Sequence, residues 1–245
     1  MLEVKDLNKT YRTMNAVNDV SFKLEDGVSY ALVGESGCGK STLSKLIIGL
    51  IAPTNGEVLL NGSNIFHGKK TDKELYTKIQ LILQDGKSSL DPHFTVYDSI
   101  AEPIRNLLSV SRSCEKEMVI NLMNRMELDL SLLKRKAGEL SGGQQKRVCI
   151  ARAISVSPSI LIFDEAVSGL DVIVRKNILQ LLKKIQKEQR CTYLFITHDI
   201  DVALYIADHI FVMKNGSIVE EADYNGDLSG FTHPYSRLLL ESITP

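Results

Sequence analysis

The chain has 245 residues, 44% of them hydrophobic and 24% charged, with a formal net charge of −1, enough for one large domain or for a domain with a subsidiary lobe. That balance carries no electrostatic bias toward nucleic acid or an anionic membrane surface, so contact with either would need a local patch. No apolar run is long enough to span a bilayer, the opening Met1 to Asp6 is charged where a secretory signal would be apolar, and Cys38, Cys114, Cys149 and Cys191 lack metal-ligand spacing, so reduced thiols in the cytoplasm are expected.

In chain order, Leu2, Val4 and Leu7, then Val20, Phe22 and Leu24, predict two opening strands. Ser29 to Val33 is a short apolar run suited to a buried strand, and Leu43, Leu46, Ile47 and Leu50 fall at helical spacing after it. Strands are predicted for Gly56 to Gly62 and for Ile79 to Leu83, the latter ending at Gln84. From about Thr95 to Ser157 the chain reads as helical. There Met118, Leu122 and Met126 share a face beside Val119 and Met123, a stripe that suits a core and, less commonly, a partner. Strand–helix alternation resumes with Ser159 to Phe163, a helix marked by Val174, Ile178, Leu181, Leu182 and Ile185, and a buried strand at Thr192 to Ile196. Two short strands near Ile210 to Met213 and Ser217 to Val219 flank a hairpin-like turn at Lys214-Asn215-Gly216. The order predicts an α/β fold with mostly parallel central strands, an antiparallel flank and an inserted helical subdomain. Its expected boundaries are 1–87 and 158–230 for the core, 88–157 for the helices and 231–245 for a tail.

The stretch from Gly34 to Thr42 holds glycines, a lysine and hydroxyls in the order a triphosphate requires. Gly34, Gly37 and Gly39 let the backbone turn its N–H groups inward around an anion, with Ser36, Cys38 and Thr42 in the same loop. The following helix adds its positive end. Lys40 would reach the β- and γ-phosphates, and the Ser41 hydroxyl would complete a Mg²⁺ shell. Cys38 is either an oxidation-sensitive thiol or, the plainer reading, a small residue that fits. Leu140-Ser141-Gly142-Gly143-Gln144-Gln145 opens another helix and offers a second anion nest at its start.

These paired motifs resemble the ATP-binding subunit of ABC transporters over nearly the whole chain. The resemblance implies a P-loop NTPase, RecA-like core binding ATP and Mg²⁺, in which Ser141, Gly142, Gly143 and Gln144 complete the site of a second chain. It implies that Asp164 holds the metal, that Glu165 is the catalytic base or water polariser, and that His198 contacts the γ-phosphate. Gln84 would sense Mg²⁺ and the attacking water, and Asp171, in Ser168 to Asp171, would communicate between sites. Spacing alone makes Tyr11 a surface aromatic, whereas the family stacks a ring at this place on adenine. Ala166 stands where proline commonly follows the catalytic glutamate, which removes no catalytic atom.

Gln84 to Pro92, Ile100 to Pro103 and His233 to Leu240 further resemble the peptide and nickel importers, with Gly86 and Asp91 departing from the usual proline and asparagine. That resemblance implies a peripheral protein at the cytoplasmic face of the membrane. Its partners would be two permease subunits, a second and different ATP-binding subunit, and an extracellular or periplasmic binding protein; no nucleic acid is expected. Peptide-type members often extend past the tail motif with a cysteine cluster, so a chain ending at Pro245 points toward nickel or metal chelates. The competing expectations are a soluble ABC ATPase that remodels a macromolecular complex and a phosphoryl-transfer kinase.

Overall fold

The computed structural model describes residues 1–66, 73–84 and 89–241. The chain opens with β1 (Leu2–Tyr11), β2 (Met14–Leu24) and β3 (Ser29–Val33), followed by α1 (Lys40–Ile47), β4 (Asn55–Leu60) and β5 (Ser63–Asn64). Next come α2 (Lys73–Lys78), β6 (Ile79–Ile82), α3 (Val96–Leu107), α4 (Arg112–Arg125) and, after two short 3₁₀ turns, α5 (Gly142–Ile154). The chain continues through β7 (Ile160–Asp164), α6 (Val172–Gln189), β8 (Thr192–Thr197), α7 (Ile200–Ile206), β9 (His209–Lys214), β10 (Ser217–Asp223) and α8 (Pro234–Glu241).

These strands make an antiparallel sheet, β2-β1-β4-β5, and a six-stranded sheet, β10-β9-β3-β8-β7-β6, parallel except at β10. The continuous apolar runs of β3, β7 and β8 follow from burial on both faces. Alternate side chains enter different cores. Tyr30, Leu32, Ile160, Ile162, Leu194 and Ile196 face α1 and the antiparallel sheet. Ala31, Val33, Leu161, Phe163, Tyr193 and Phe195 face α6, α7 and the helices α3 to α5. Among the described residues the segment between β6 and β7 is mostly helical, and its buried apolar residues belong to the same cluster as the sheet. Its Val119, Met123 and Met126 are fully buried in the cluster that holds the sheet, so the methionine stripe is packing.

One strand register and two element boundaries each have a local cause. Leu7 keeps its inward place because a register shift between Val4 and Leu7 accompanies a left-handed Asp6 (φ 46°). Leu50, expected on the α1 face, lies beyond it and is exposed. Gly49 turns left-handed (φ 76°), with its N–H on the Leu46 carbonyl and the Leu50 N–H on that of Lys45, a Schellman close that ends the helix. β10 runs to Asp223, past Val219, because its antiparallel ladder with β9 continues to the Asp223–His209 pair.

Candidate nucleotide-binding site

The loop between β3 and α1 is shaped by close backbone approach. A Cβ added at Gly39 (φ 113°) would sit 2.1 Å from the Ala16 carbonyl oxygen, and one at Gly34 2.2 Å from that of Met213. Side chains are excluded there by neighbouring main chain as well as by conformation. The Asn215-Gly216 turn supports the loop from behind, the Gly216 N–H donating to the Cys38 carbonyl at 2.9 Å. The resulting cavity of about 550 Å³ is lined by Ser36 to Thr42 and Glu165, together with Met14, Asn15, Ala16, Asn215 and Gly216. None of those last five was expected in the site. Asn215 and Gly216 carried only the signal of a hairpin turn and Met14 to Ala16 carried none, so tertiary packing alone brings them to the loop.

Lys40 is buried, and its ammonium donates to the carbonyls of Gly34 at 2.7 Å and Glu35 at 2.8 Å, with the Cys38 sulfur at 3.8 Å. A cation is thus held at the mouth of the nest where anionic oxygens would arrive. Beneath it, the end of β7 brings Asp164 to α1. The Ser41 hydroxyl lies 3.2 Å from Asp164 Oδ1 and the Ser44 hydroxyl 3.0 Å from Oδ2. Burial raises the Asp164 pKa above the ordinary carboxylate value, against the lowering effect of the two serines. Hard oxygen donors converging on a desolvated carboxylate suit a small divalent cation, which would relieve that burial penalty.

Glu165 follows with a left-handed backbone (φ 50°), its N–H donating to the Ile196 carbonyl at 2.8 Å. This turn swings its carboxylate out of the sheet into the cavity. There Oε1 lies 3.0 Å from Nδ1 of His198, which follows β8 and is half exposed. Gly34, Asp164 and His198 adjoin the loop without lining the cavity, and Gln84 and Tyr11 stand on exposed segments outside it. Gln84 is an exposed bend residue after β6, and the buried Lys146 of α5 donates to the Leu83 and Gln84 carbonyls, both at 2.9 Å. Gly86 and Ser88 lie outside the described residues. Tyr11 is exposed at the end of β1, paired with Met14 across the turn and with the Lys9 ammonium 5.2 Å from its ring centre.

The Ser141 turn is built differently. Its hydroxyl accepts the Gln144 N–H at 3.3 Å, and Gln144 Oε1 accepts the Ser141 N–H at 3.0 Å, closing a capping box at the start of α5. A separate cavity of about 550 Å³ lies there, lined among others by Arg135, Ser141, Gly143, Gln144, Arg147 and Val174. It shares no lining residue with the phosphate-loop cavity. Asp171 caps α6, accepting the Val174 N–H at 2.9 Å, and the neighbouring Val172 and Ile173 are 68% and 73% exposed.

A protein-family profile described as ABC transporter matches residues 17–168. The chain belongs to the ABC transporter family. Among curated relatives, this ABC chain is 41% identical to the oligopeptide transport ATP-binding protein OppF of Bacillus subtilis (strain 168), over 99% of its own length and 82% of that protein's. It is 36% identical to the nickel import ATP-binding protein NikE of Escherichia coli O157:H7, over 100% and 95% of the two chains. Its fold superposes on cbiO1 of Clostridium perfringens, described as part of the ABC transporter complex cbiONQ, with a TM-score of 0.82, 30% identity and coverage of 91% and 88%. The ATP-binding cassette MJ0796, solved as a dimer in a post-hydrolysis state bound to ADP and Pi, superposes with a TM-score of 0.81 and 30% identity, covering 93% of this chain and 100% of that one. This ABC chain is a nucleotide-binding ATPase with the P-loop NTPase fold. Among the described residues no helix is long and apolar enough to cross a membrane.

Proposed function

We propose that this ATPase powers import of peptides, nickel or metal chelates through two separate permease subunits at the cytoplasmic face of the membrane. A second, different ATP-binding chain would pair with it head to tail, beneath permeases fed by an extracellular or periplasmic binding protein. The observation that carries this reading is the near full-length similarity to OppF and NikE. It favours transport over remodelling of a soluble complex.

In the proposed mechanism the loop from Gly34 to Thr42 and the positive end of α1 hold the phosphates, and Lys40 neutralises the β- and γ-oxygens. Ser41 and Asp164 would hold Mg²⁺, with Gln84 reaching it as the helices move; when bound, the metal supplies charge neutralisation at the phosphoryl oxygens. Glu165 orients the attacking water and takes its proton as oxygen bonds to the γ-phosphorus and ADP leaves. His198 steers the Glu165 carboxylate and contacts the γ-phosphate. Tyr11 would stack on adenine once ligand draws the β1–β2 turn inward. Ser141, Gly142, Gly143 and Gln144 cap the γ-phosphate in the paired chain's site, and Asp171 links the two sites. The placement of Ser141, Gly143 and Gln144 on a cavity apart from the loop supports that division of labour.

The assembled complex, reconstituted in liposomes with its permeases and binding protein, should take up nickel or peptide only with ATP and release phosphate to water. Isolation of the chain with ribosomes or DNA in place of polytopic membrane proteins would sink the importer reading. A phosphorylated acceptor would return the reading to a kinase.

A further inference from the structure

The tail after β10 touches the phosphate loop directly. Phe231 and Tyr235 are buried, and Phe231 shares with Leu239 and Leu240 of α8 a small apolar cavity bounded by Val33, Ile200, Ile210 and Val212. Glu220 of β10 anchors the turn into α8, one carboxylate oxygen accepting the N–H groups of Thr232 at 2.6 Å and His233 at 2.9 Å and the Thr232 hydroxyl at 3.0 Å. This anchorage delivers the Tyr235 hydroxyl to the Glu35 N–H at 3.1 Å.

The Glu35 N–H belongs to the same planar peptide unit as the Gly34 carbonyl, which receives the Lys40 ammonium at 2.7 Å. Tyr235 and Lys40 therefore grip opposite ends of one rigid plate. Rotation of that plate cannot release one contact without disturbing the other, and hydrogen bonds in series polarise one another. The Lys214 ammonium lies 4.4 Å from the Tyr235 ring centre, immediately before the Asn215-Gly216 turn that backs the loop. The tail thus reaches both walls of the nest. Burial, helped by the Glu35 carboxylate, raises the Tyr235 pKa, so the phenol stays protonated.

We propose that Tyr235 is a positioning residue for nucleotide binding: it fixes the Gly34–Glu35 peptide so that Lys40 is aimed at the phosphates, making the C-terminal helix part of the ATP site's supporting structure. The inference rests on the ATP-binding reading of the loop. The test is equilibrium titration of the full chain with fluorescent ATP and ADP analogues, in wild type and Tyr235→Phe, with thermal unfolding of each nucleotide-free protein. Loss of one such hydrogen bond should weaken both nucleotides by roughly 3- to 10-fold. In a Lys40→Ala background the same change should add less than about twofold, because the group it aims is gone. Affinities within twofold of wild type for Tyr235→Phe, or an equal loss with and without Lys40, would overturn the proposal. The double-variant comparison stays decisive even if the phenylalanine variant unfolds at lower temperature. A wild-type chain that bound neither nucleotide would overturn the ATP reading itself.

Discussion

The two glycine-bearing helix starts of this chain make a comparison. The phosphate loop is enclosed: the carbonyls of Ala16 and Met213 press on Gly39 and Gly34, and the Lys40 ammonium and the Asn215-Gly216 turn hold the loop's shape from inside the same chain. The Ser141 turn is open. Its capping box satisfies Ser141 and Gln144 locally, and a Cβ at Gly142 would meet nothing within 4 Å. One nest is braced by distant parts of its own chain, while the start of α5 is braced by its local capping box. Glycine in the first is demanded by packing, whereas at Gly142 no neighbouring atom among the described residues stands where a Cβ would go.

That contrast can be broken or sharpened by substitution. The largest effect is expected at the enclosed site, where Glu165→Gln should lower ATP turnover of the assembled complex by roughly 10²- to 10⁴-fold while nucleotide titration shows binding retained. Undiminished phosphate release would remove Glu165 from its role. Gly39→Ala forces a side chain onto the Ala16 carbonyl at a left-handed backbone position, so ATP affinity of the isolated chain should fall by roughly tenfold or more, read by the same titration. The identical change at the open site should act differently on the isolated chain. Gly142→Ala should leave its own ATP affinity unchanged and raise unfolding stability by about 0.4–1 kcal/mol, because alanine narrows the unfolded ensemble without meeting a neighbour. Turnover of the assembled pair should nevertheless fall. Loss of the isolated chain's own ATP binding on Gly142→Ala would dissolve the distinction.

The smallest change concerns pH. The raised pKa of Asp164 means that the folded chain binds its proton more readily than the unfolded chain does, so this carboxylate costs stability increasingly as pH rises through that interval. Asp164→Asn should unfold at higher temperature than wild type at neutral pH without nucleotide, with the gap closing as pH falls below the ordinary carboxylate range. A gap constant across pH would show that ionisation is not its cause.

Much of this was legible beforehand because it is local. The apolar runs of β3, β7 and β8 announce strands covered on both faces, and Asn215-Gly216 announces a hairpin. The helical stretch before β7 was legible as helical, while the sheet residues its apolar face meets were not, since helical periodicity shows which face is apolar and never what covers it. Tyr11 shows the opposite limit. A motif context proposed a ligand for it, while its exposed place at the strand end, with Lys9 beside its ring, is set by the sheet in which β1 pairs. Met14, Asn15 and Ala16 reach the cavity by that same pairing.

The sequence by itself determined the strand–loop–helix that holds phosphate, the serine-glycine-glycine-glutamine turn and the acidic pair Asp164-Glu165, since each depends on residues within a few positions of one another. Only the tertiary structure decided that the two nests line separate cavities, that Glu165 meets His198 at 3.0 Å across two strands, and that Tyr235, two hundred residues from Glu35, holds the peptide on which Lys40 rests. Contacts between distant segments are fixed by sheet order and burial of shared faces, and those quantities exist only once the whole chain has packed.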